Sequence, residues 1–347
     1  MSDNNYLNLC GIEFVEFTSS EPEKLDKLFL EFGFSRSLKH KEMNISYYNQ
    51  NDIHFFINMD HSSYANKFNK LHGPSICSMG WRVADAEYAL EQSLERGAIQ
   101  AEGDFYYLGK NVPAIKGIGD SLIYFIQDFD NKNLYSNLGF IDHDSKEILP
   151  SKGFICIDHL TNNVEKGTMS TWSDFYKNVF GFTEVRYFDI RGAKTGLTSY
   201  ALKSPCGTFC IPINEATEKK SQINEYIEEY NGPGIQHLAF TTHDIVKSLD
   251  KLDGTSIQTL DIENEYYDDI LDRVPNVTEK LQDLSDRKIL IDGDIKGYLL
   301  QIFTKNVIGP IFIEIIQRKN NYSFGEGNFG ALFRSIEKDQ EERGYLD

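Results

Sequence analysis

Three side chains with metal-binding chemistry each lie inside an apolar stretch of the sequence. His159 lies in ICIDHLT, His237 in IQHLAF and Glu314 in FIEIIQR. An ionised carboxylate among such residues costs free energy unless it is paired or bound to a cation. Two imidazoles and one carboxylate form the set that holds Fe(II) on one face and leaves other positions open. A single buried histidine is more often a hydrogen-bonded core residue, so the predicted metal centre depends on all three positions together.

One other metal-binding spacing occurs, at His40 and Glu42. Their H-x-E arrangement is that of jelly-roll iron oxygenases, but it lies on the charged stretch KHKEMN without a well-placed distant partner. His243 precedes Asp244, which is typical of a helix N-cap, so this histidine is expected at a strand-to-helix turn. Neither position competes with the three residues above.

The elements that must position these residues recur in a repeated order along the chain. Alternating apolar residues predict strands, and a helical apolar period that ends at a glycine predicts helices. The first half begins with a strand, a helix and two strands: GIEFVEF, EPEKLDKLFLEFGF, NISYY and DIHFFIN. The second half begins with a strand, a helix and three strands: ICIDHLT, MSTWSDFYKNVFGF, TEVRYFDI, TSYALKS and TFCIPIN.

Each half then contains a second round of the same kind. A strand runs into a helix in SICSMGWRVADAEYALEQSLERG and in GIQHLAFTTHDIVKSLDKLDG, and each half ends on an apolar strand, GDSLIYFIQ or GPIFIEIIQ. The sequence therefore predicts an α+β protein of four β-α-β-β-β units in two domains. We expect an N-terminal domain over residues 1–127, a polar, turn-rich linker over 128–152, and a C-terminal domain over 153–347 that closes with a helix from about Phe329.

The repeat also separates the two halves chemically. When the halves are aligned by their strands, His159 falls opposite Phe14, and His237 falls opposite Ser78. Glu314 falls opposite Tyr124. Only the second half carries metal-binding side chains at these positions, so we expect the first domain to be metal-free.

Composition and charge restrict the class of function. The 347 residues are 40% hydrophobic and 25% charged, which is typical of a globular chain. The formal net charge of −18 disfavours binding to nucleic acid or to anionic lipid. No apolar run approaches the roughly 18 residues of a membrane span, and no leader pattern opens the chain. Five scattered cysteines indicate reduced thiols, so we expect a cytoplasmic protein that acts on a small molecule.

The chain resembles the 4-hydroxyphenylpyruvate dioxygenase family over nearly its full length. The resemblance is carried by SYALKS, IPINEA, KSQINEYIEEYNGPGIQHLAF, YLLQIFTK, GPIFIEIIQRKN and FGEGNFGALFRSIE, in the family's order. It implies the open curved sheets of the vicinal oxygen chelate (glyoxalase-like) superfamily and an N-terminal domain that has lost its metal site. It also implies that His159, His237 and Glu314 bind one Fe(II) per chain.

The resemblance further implies a set of substrate-binding residues and a C-terminal gating helix. Strand alternation places Gln301, Phe303 and Phe312 on the face of the metal ligands, but it sends Gln236, the neighbour of His237, to the opposite face. The implied substrate residues are Ser199, Pro212, Asn214, Gln222, Gln236, Gln301, Phe303 and Phe312, and in the tail Phe324, Asn328, Phe329 and Leu332.

The activity implied by the resemblance is conversion of 4-hydroxyphenylpyruvate and O₂ to homogentisate and CO₂, in tyrosine and phenylalanine catabolism. The substrate's own 2-oxo acid would bind the iron, and no separate catalytic acid or base is expected. A homo-oligomer is expected. The alternatives are a 4-hydroxymandelate synthase, an extradiol catechol dioxygenase, and a metal-free protein that binds a small molecule without turnover.

Overall fold

The computed structural model describes residues 4–192 and 194–346, which form two large mixed β-sheets with helices packed against them. The strands of the first half are β1 (Leu9–Thr18), β2 (Ser35–His40), β3 (Ile45–Gln50), β4 (Ile53–Asn58), β5 (Ser75–Val83), β6 (Gln100–Ala101), β7 (Tyr106–Tyr107), β8 (Lys110–Asn111), β9 (Ala114–Lys116), β10 (Leu122–Ile126) and β11 (Phe140–Glu147). Those of the second half are β12 (Phe154–Val164), β13 (Thr183–Arg191), β14 (Gly196–Lys203), β15 (Cys210–Ala216), β16 (Gly234–Thr242), β17 (Leu290–Asp294), β18 (Gly297–Phe303) and β19 (Phe312–Lys319).

The helices lie between these strands and at the C-terminal end. They are α1 (Pro22–Glu31), α2 (Tyr64–His72), α3 (Ala86–Glu95), α4 (Leu134–Asn137), α5 (Met169–Phe175), α6 (Gln222–Tyr230), α7 (Ile245–Asp250), α8 (Ile270–Arg273), α9 (Leu281–Asp286) and α10 (Phe329–Glu342). Within the described part of the chain, no helix is both long enough and apolar enough to cross a membrane.

The two sheets share one plan, which confirms the predicted repeat. Their strand orders are β11-β2-β3-β4-β1-β5-β10-β9-β6 and β13-β14-β15-β12-β16-β19-β18-β17. At each centre the first strands of two units run antiparallel, β1 beside β5 and β12 beside β16. The last strand of each unit lies parallel to its first, as β15 does to β12 and β19 to β16. Each metal-ligand position is therefore carried by a central strand.

Local sequence signals explain where the predicted helices begin and end. Proline stands at the first turn of α1, where its missing N–H is not needed, and Leu25 and Phe29 lie on the buried face. The Asp244 carboxylate caps α7 by accepting a hydrogen bond from the Lys247 N–H, as expected. Gly181 ends the helical segment that follows β12, and its φ of +81° is a conformation that favours glycine.

The segment predicted as a linker contains regular structure. Helix α4 and strand β11 both lie within 128–152, and β11 pairs antiparallel with β2 as the edge strand of the first sheet. The sequence of β11 resembles a polar linker because this strand lies exposed on the outer edge of the first sheet and carries charged residues. The domain boundaries themselves remain a prediction.

Aromatic side chains join the two halves in one continuous core. The Phe240 ring lies 5.8 Å from Phe34 and 5.9 Å from Phe55, between ring centroids. Trp81 of the first half lies 4.7 Å from Phe180 of the second. The first sheet is therefore packed directly against the elements that carry the candidate metal ligands.

Candidate metal centre and substrate cavity

Three neighbouring strands bring His159, His237 and Glu314 together. Nε2 of His159 is 3.1 Å from Oε2 of Glu314, and Nε2 of His237 is 3.6 Å from the same oxygen. Their ligand atoms all lie within 4.8 Å of one another, and no other group of three such residues does so in the described chain. Ala239 faces His159 on one side and Glu314 on the other, and its small side chain leaves room for them to meet.

Burial and charge make this cluster suitable for a cation. The residues His159, His237 and Glu314 are 4%, 9% and 3% exposed. Burial alone would raise the pKa of Glu314, but the two imidazoles hold it well below its usual range. Burial would lower the pKa of His159, but Glu314 and Asp158 raise it, whereas burial lowers the pKa of His237. Without metal, the centre is thus an ion pair of His159 and Glu314, and a bound cation would displace that proton.

Each candidate ligand is held in place by a hydrogen-bonding neighbour. Nδ1 of His159 lies 2.7 Å from the Asp158 carboxylate, which leaves Nε2 for a metal. Nδ1 of His237 lies 3.2 Å from the Gln236 amide oxygen, and Oε1 of Glu314 accepts a hydrogen bond of 3.3 Å from Gln301. Such partners fix the tautomer and orientation of metal ligands.

A β-bulge places Gln236 in the site, so the expectation that it points away is wrong. Along β12, Thr161 pairs with His237 and the next residue, Asn162, pairs with Ile235. Gln236 is therefore the extra residue, and the bulge turns two successive side chains of β16 to the same face. Strict alternation therefore fails between Gln236 and His237.

A cavity of about 90 Å³ lies over the three candidate ligands. Its wall includes eleven of the twelve predicted substrate residues, namely Ser199, Pro212, Asn214, Gln222, Gln236, Gln301, Phe303, Phe312, Phe324, Phe329 and Leu332. Asn328 lies behind this wall, fully buried, and donates a hydrogen bond of 2.9 Å to Gln301. A direct contact of Asn328 with substrate is therefore not supported by the geometry.

Aromatic rings form a flat slot beside the ligands. The Phe312 ring is stacked on His237 with a centroid distance of 4.6 Å and an angle of 16°. Phe303 lies 6.4 Å from His237, and Phe324 lies 5.9 Å from His159. Such a slot fits a planar aromatic ring, and the neighbouring amides can hydrogen-bond its polar groups.

Six further residues line the cavity that the sequence did not single out: Thr161, Phe188, Ile190, Leu197, Phe333 and Ile336. The spacing along strands and along the helix could have identified four of them. Thr161 lies two residues after His159 and Leu197 two before Ser199, so alternation places both on the site face. Phe333 and Ile336 each lie one helical turn after a predicted tail residue.

Comparison with known proteins places this geometry in a family. Residues 3–144 match the family described as Hydroxyphenylpyruvate dioxygenase, HPPD, N-terminal, and residues 157–273 match the Glyoxalase/Bleomycin resistance protein/Dioxygenase superfamily. The chain is 57% identical to Protein MelA of Shewanella colwelliana, with 99% of each chain covered. It is 43% identical to a 4-hydroxyphenylpyruvate dioxygenase of Legionella pneumophila (strain Corby), with 100% of this chain and 99% of that one covered. The chain belongs to the 4-hydroxyphenylpyruvate dioxygenase family.

Family membership confirms that the chain is an enzyme of the dioxygenase class with glyoxalase-like domains. The fold is shared with a mutant of 4-hydroxymandelate synthase from Streptomyces coelicolor, at a TM-score of 0.83 and 20% identity, covering 96% of this chain and 99% of that one. The expected open sheets of paired units and the C-terminal helix α10 are both present.

The first half of this dioxygenase carries no matching metal cluster within its described residues. Phe14 and Tyr124 both pair with Gly80, just as His159 and Glu314 both pair with Ala239, which confirms the alignment of the halves. A side chain at Gly80 would come within 2.3 Å of the Phe14 ring. Aromatic rings therefore fill the space that corresponds to the His159, His237 and Glu314 cluster of the second half.

The alternative H-x-E position in this family member serves a local turn. Nε2 of His40 lies 3.1 Å from the Leu138 carbonyl, and its Nδ1 accepts a hydrogen bond from the Met43 N–H. Both ring nitrogens thus have protein partners, which explains this histidine without a metal.

Helix α10 covers the cavity in this structure. Phe329 and Leu332 face the cavity, while Glu337 lies buried against the turn between β13 and β14. The Glu337 carboxylate accepts hydrogen bonds from the backbone N–H groups of Lys194 and Thr195, at 3.0 and 2.8 Å. The tail is therefore held down at Glu337, the residue directly after the cavity-lining Ile336.

Proposed function

We propose that this chain is an Fe(II)-dependent 4-hydroxyphenylpyruvate dioxygenase. The reaction joins one 4-hydroxyphenylpyruvate and one O₂ and releases one homogentisate and one CO₂, so all atoms balance and both oxygen atoms enter the products. The observation that carries the proposal is the buried cluster of two histidines and Glu314 facing an aromatic cavity. That donor set leaves open positions on an octahedral ion.

The fit between the donor set and iron is chemical as well as geometric. A neutral-imidazole pair with one carboxylate suits Fe(II), and Arg318, which contacts Asp158 beside His159, is already paired with that carboxylate. Bound iron would supply a site for O₂ and for oxidative decarboxylation of the 2-oxo acid. His159, His237 and Glu314 would hold it, one ion per chain.

The remaining side chains would bind and orient the substrate. Phe312 and Phe324 would hold the aromatic ring between them, and Gln222, Gln236 and Ser199 offer polar atoms for its hydroxyl or its oxo-acid group. Helix α10 would exclude water while the iron reacts. The role of the protein is therefore orientation and shielding rather than acid–base catalysis.

Product analysis tests the proposal directly. Metal-depleted protein is reloaded with Fe(II) and incubated with 4-hydroxyphenylpyruvate and O₂, with Zn(II)-loaded protein as the control. We expect one homogentisate and one CO₂ per O₂ consumed with iron only. Homogentisate and 4-hydroxymandelate are isomers, so chromatography must precede mass spectrometry. Release of 4-hydroxymandelate would assign the synthase activity instead, oxygen uptake with catechols only would assign an extradiol enzyme, and iron-independent binding without turnover would assign a binding protein.

We further propose that the enzyme works in the cytoplasm as a homo-oligomer. All five cysteines are free, which suits a reducing compartment. Light scattering of the purified chain measures the number of subunits, and a mass of one chain at micromolar concentration would contradict an oligomer.

A further inference from the structure

A continuous chain of hydrogen bonds leads from Glu314 into the tail and ends at a tyrosine. Gln301 donates to Oε1 of Glu314 at 3.3 Å, and Nδ2 of Asn328 donates to Oε1 of Gln301 at 2.9 Å. The Tyr266 hydroxyl lies 2.6 Å from Oδ1 of Asn328. Tyr266 lies in a short 3-10 turn over Asn264–Tyr267, far along the chain from the other three residues.

The donors in this series of hydrogen bonds all point the same way, because each amide must use its oxygen on one side and its NH₂ on the other. The phenol oxygen of Tyr266 accepts the Ile291 N–H at 2.7 Å, and its proton has two acceptors within reach, Oδ1 of Asn328 at 2.6 Å and the Ile291 carbonyl at 2.9 Å. Burial raises the pKa of Tyr266 to about 12, so the hydroxyl keeps that proton at neutral pH. The Glu314 carboxylate only accepts, so Gln301 turns its NH₂ to Glu314 and its oxygen to the NH₂ of Asn328. Oδ1 of Asn328 is then free to accept from Tyr266, at the shorter of the two acceptor distances.

The tail backbone also packs closely against the Gln301 side chain. Gly325, three residues before Asn328, has a φ of +78°, and a side chain there would come within 1.8 Å of the Gln301 amide oxygen. Gln301, Asn328 and Tyr266 are 2%, 0% and 8% exposed, so water does not replace their contacts. The position of the tail thus determines the position of Gln301.

We infer that Tyr266 is a positioning residue, which orients Asn328 and Gln301 so that docking of the tail holds Glu314 in its metal-binding orientation. The inference rests on the proposed metal centre. It assigns Asn328 to a link between tail and ligand rather than to substrate contact. When the tail leaves, Gln301 would lose the partner of its oxygen and could rotate away from Glu314.

The chain offers a matched control in the adjacent residue, Tyr267. Its ring lies 4.9 Å from that of Tyr266, it is equally buried, and its hydroxyl donates to the Ile289 carbonyl at 3.1 Å. Tyr266 bonds Ile291 in β17 and Tyr267 bonds Ile289, the residue just before β17, but only the hydroxyl of Tyr266 also reaches the tail. Loss of the Tyr267 hydroxyl removes one buried hydrogen bond, whereas loss of the Tyr266 hydroxyl removes the link to Asn328 and also the acceptor of the Ile291 N–H.

The experiment compares Tyr266→Phe and Tyr267→Phe in the full-length protein by two readouts that need no turnover. The affinity for Co(II) is measured by competition with a chromophoric chelator, and amide hydrogen exchange is measured over residues 325–333 without metal. For Tyr266→Phe we expect an affinity about threefold to tenfold lower, less than the loss of a direct ligand partner, and faster exchange. Tyr267→Phe should change the affinity less than twofold.

A second variant keeps the test decisive if Tyr266→Phe does not fold. Asn328→Asp keeps the acceptor for Tyr266 but removes the donor for Gln301, so it should weaken Co(II) binding to a similar degree. Equal affinities for all variants, or equal losses in Tyr266→Phe and Tyr267→Phe, would overturn the inference. Absence of homogentisate from the Fe(II)-loaded wild type would instead refute the proposed activity and leave these two readouts unaffected.

Discussion

Arg318 holds Asp158 with two nitrogens, Nε at 2.7 Å from Oδ1 and Nη2 at 2.8 Å from Oδ2, and Asp158 lies 2.7 Å from Nδ1 of His159. The third nitrogen of the same guanidinium donates to the Ser323 carbonyl at 2.6 Å. Arg318 therefore joins a candidate metal ligand to the segment just before Phe324. Together with the Tyr266 chain, this gives two of the three ligands a connection to the tail.

Asp158→Asn should weaken metal binding through His159. The variant leaves Arg318 buried without its ion pair, at a cost of about 3 kcal/mol in stability, and it weakens the hold on the imidazole. We expect the affinity for Fe(II) to fall roughly tenfold, as for other partners of metal ligands. Glu13→Gln is the control, because buried Glu13 also pairs with an arginine, Arg82 in the first half, although Arg82 keeps Asp52 as a second partner. An equal loss of affinity in both variants would mean that stability alone is responsible.

Glu314→Gln should remove most metal binding and turnover while the fold is kept. The neutral amide has nearly the same volume but is a poor ligand, so the affinity for Fe(II) should fall by more than about 100-fold. Bound iron after dialysis and circular dichroism measure the two effects. Tyr124→Phe, at the matching position of the first half, should retain full iron content. Normal iron content in Glu314→Gln would remove Glu314 from the centre.

Removal of residues 328–347 should leave iron bound at saturating concentration but uncouple the reaction. All three candidate ligands precede the deletion, whereas α10 covers the cavity and excludes water. The O₂ consumed per homogentisate should rise well above one, measured with an oxygen electrode and by chromatography. A ratio of one at the wild-type rate would show that the tail is not a gate.

Phe303→Ile should shift part of the product from homogentisate to 4-hydroxymandelate. Phe303 is directly opposite Glu314 across β18 and β19 and lines the cavity, so its flat ring helps to orient the substrate. Iron binding should persist because no ligand is changed. Chromatography of the products decides the outcome, with Ile302→Val, on the other face of β18, as the control. Homogentisate alone from Phe303→Ile would show that this ring does not steer the oxygen.

The free energy of unfolding of the metal-free protein should fall as the pH rises, because Glu16 is buried. Burial raises its pKa from the ordinary 4.5 to about 7, against hydrogen bonds from Ser78 and Asn58 that lower it. Between these values the folded protein keeps a proton that the unfolded chain releases, so stability is lost as the pH rises, by roughly 3 kcal/mol in total. Glu16→Gln stays neutral at every pH.

Urea unfolding at pH 5 and pH 8 measures this effect. The free energy of unfolding of Glu16→Gln, relative to wild type, should increase between the two pH values. Glu21→Gln, at an exposed position, should show no such change. A constant difference between Glu16→Gln and wild type would mean that Glu16 is ionised in the fold throughout this range.

Local periodicity was sufficient to predict the strands that carry the candidate ligands and the residues that alternate on them, but it missed β11 in the predicted linker. Gln301, Phe303 and Phe312 face the cavity as expected, because their strands keep a two-residue period without interruption. Gln236 does not obey this rule, since the bulge depends on how β16 pairs with β12, and pairing is not visible in one strand alone. Tyr266 was missed for a related reason: it reaches the site through Asn328, which a tail distant in sequence brings to it.

The packing of Phe14 over Gly80 has a consequence for protein engineering. Placing His, His and Glu at positions 14, 78 and 124 would copy the ligand types into the first half. The new centre would still lack open volume, because Phe56 and Phe105 lie only 4.5 and 5.5 Å from the Phe14 ring. A designer who wanted two reactive centres in one chain would therefore first have to replace these aromatic side chains with smaller ones. That change would destabilise the first half, which packs against the half that carries His159, His237 and Glu314.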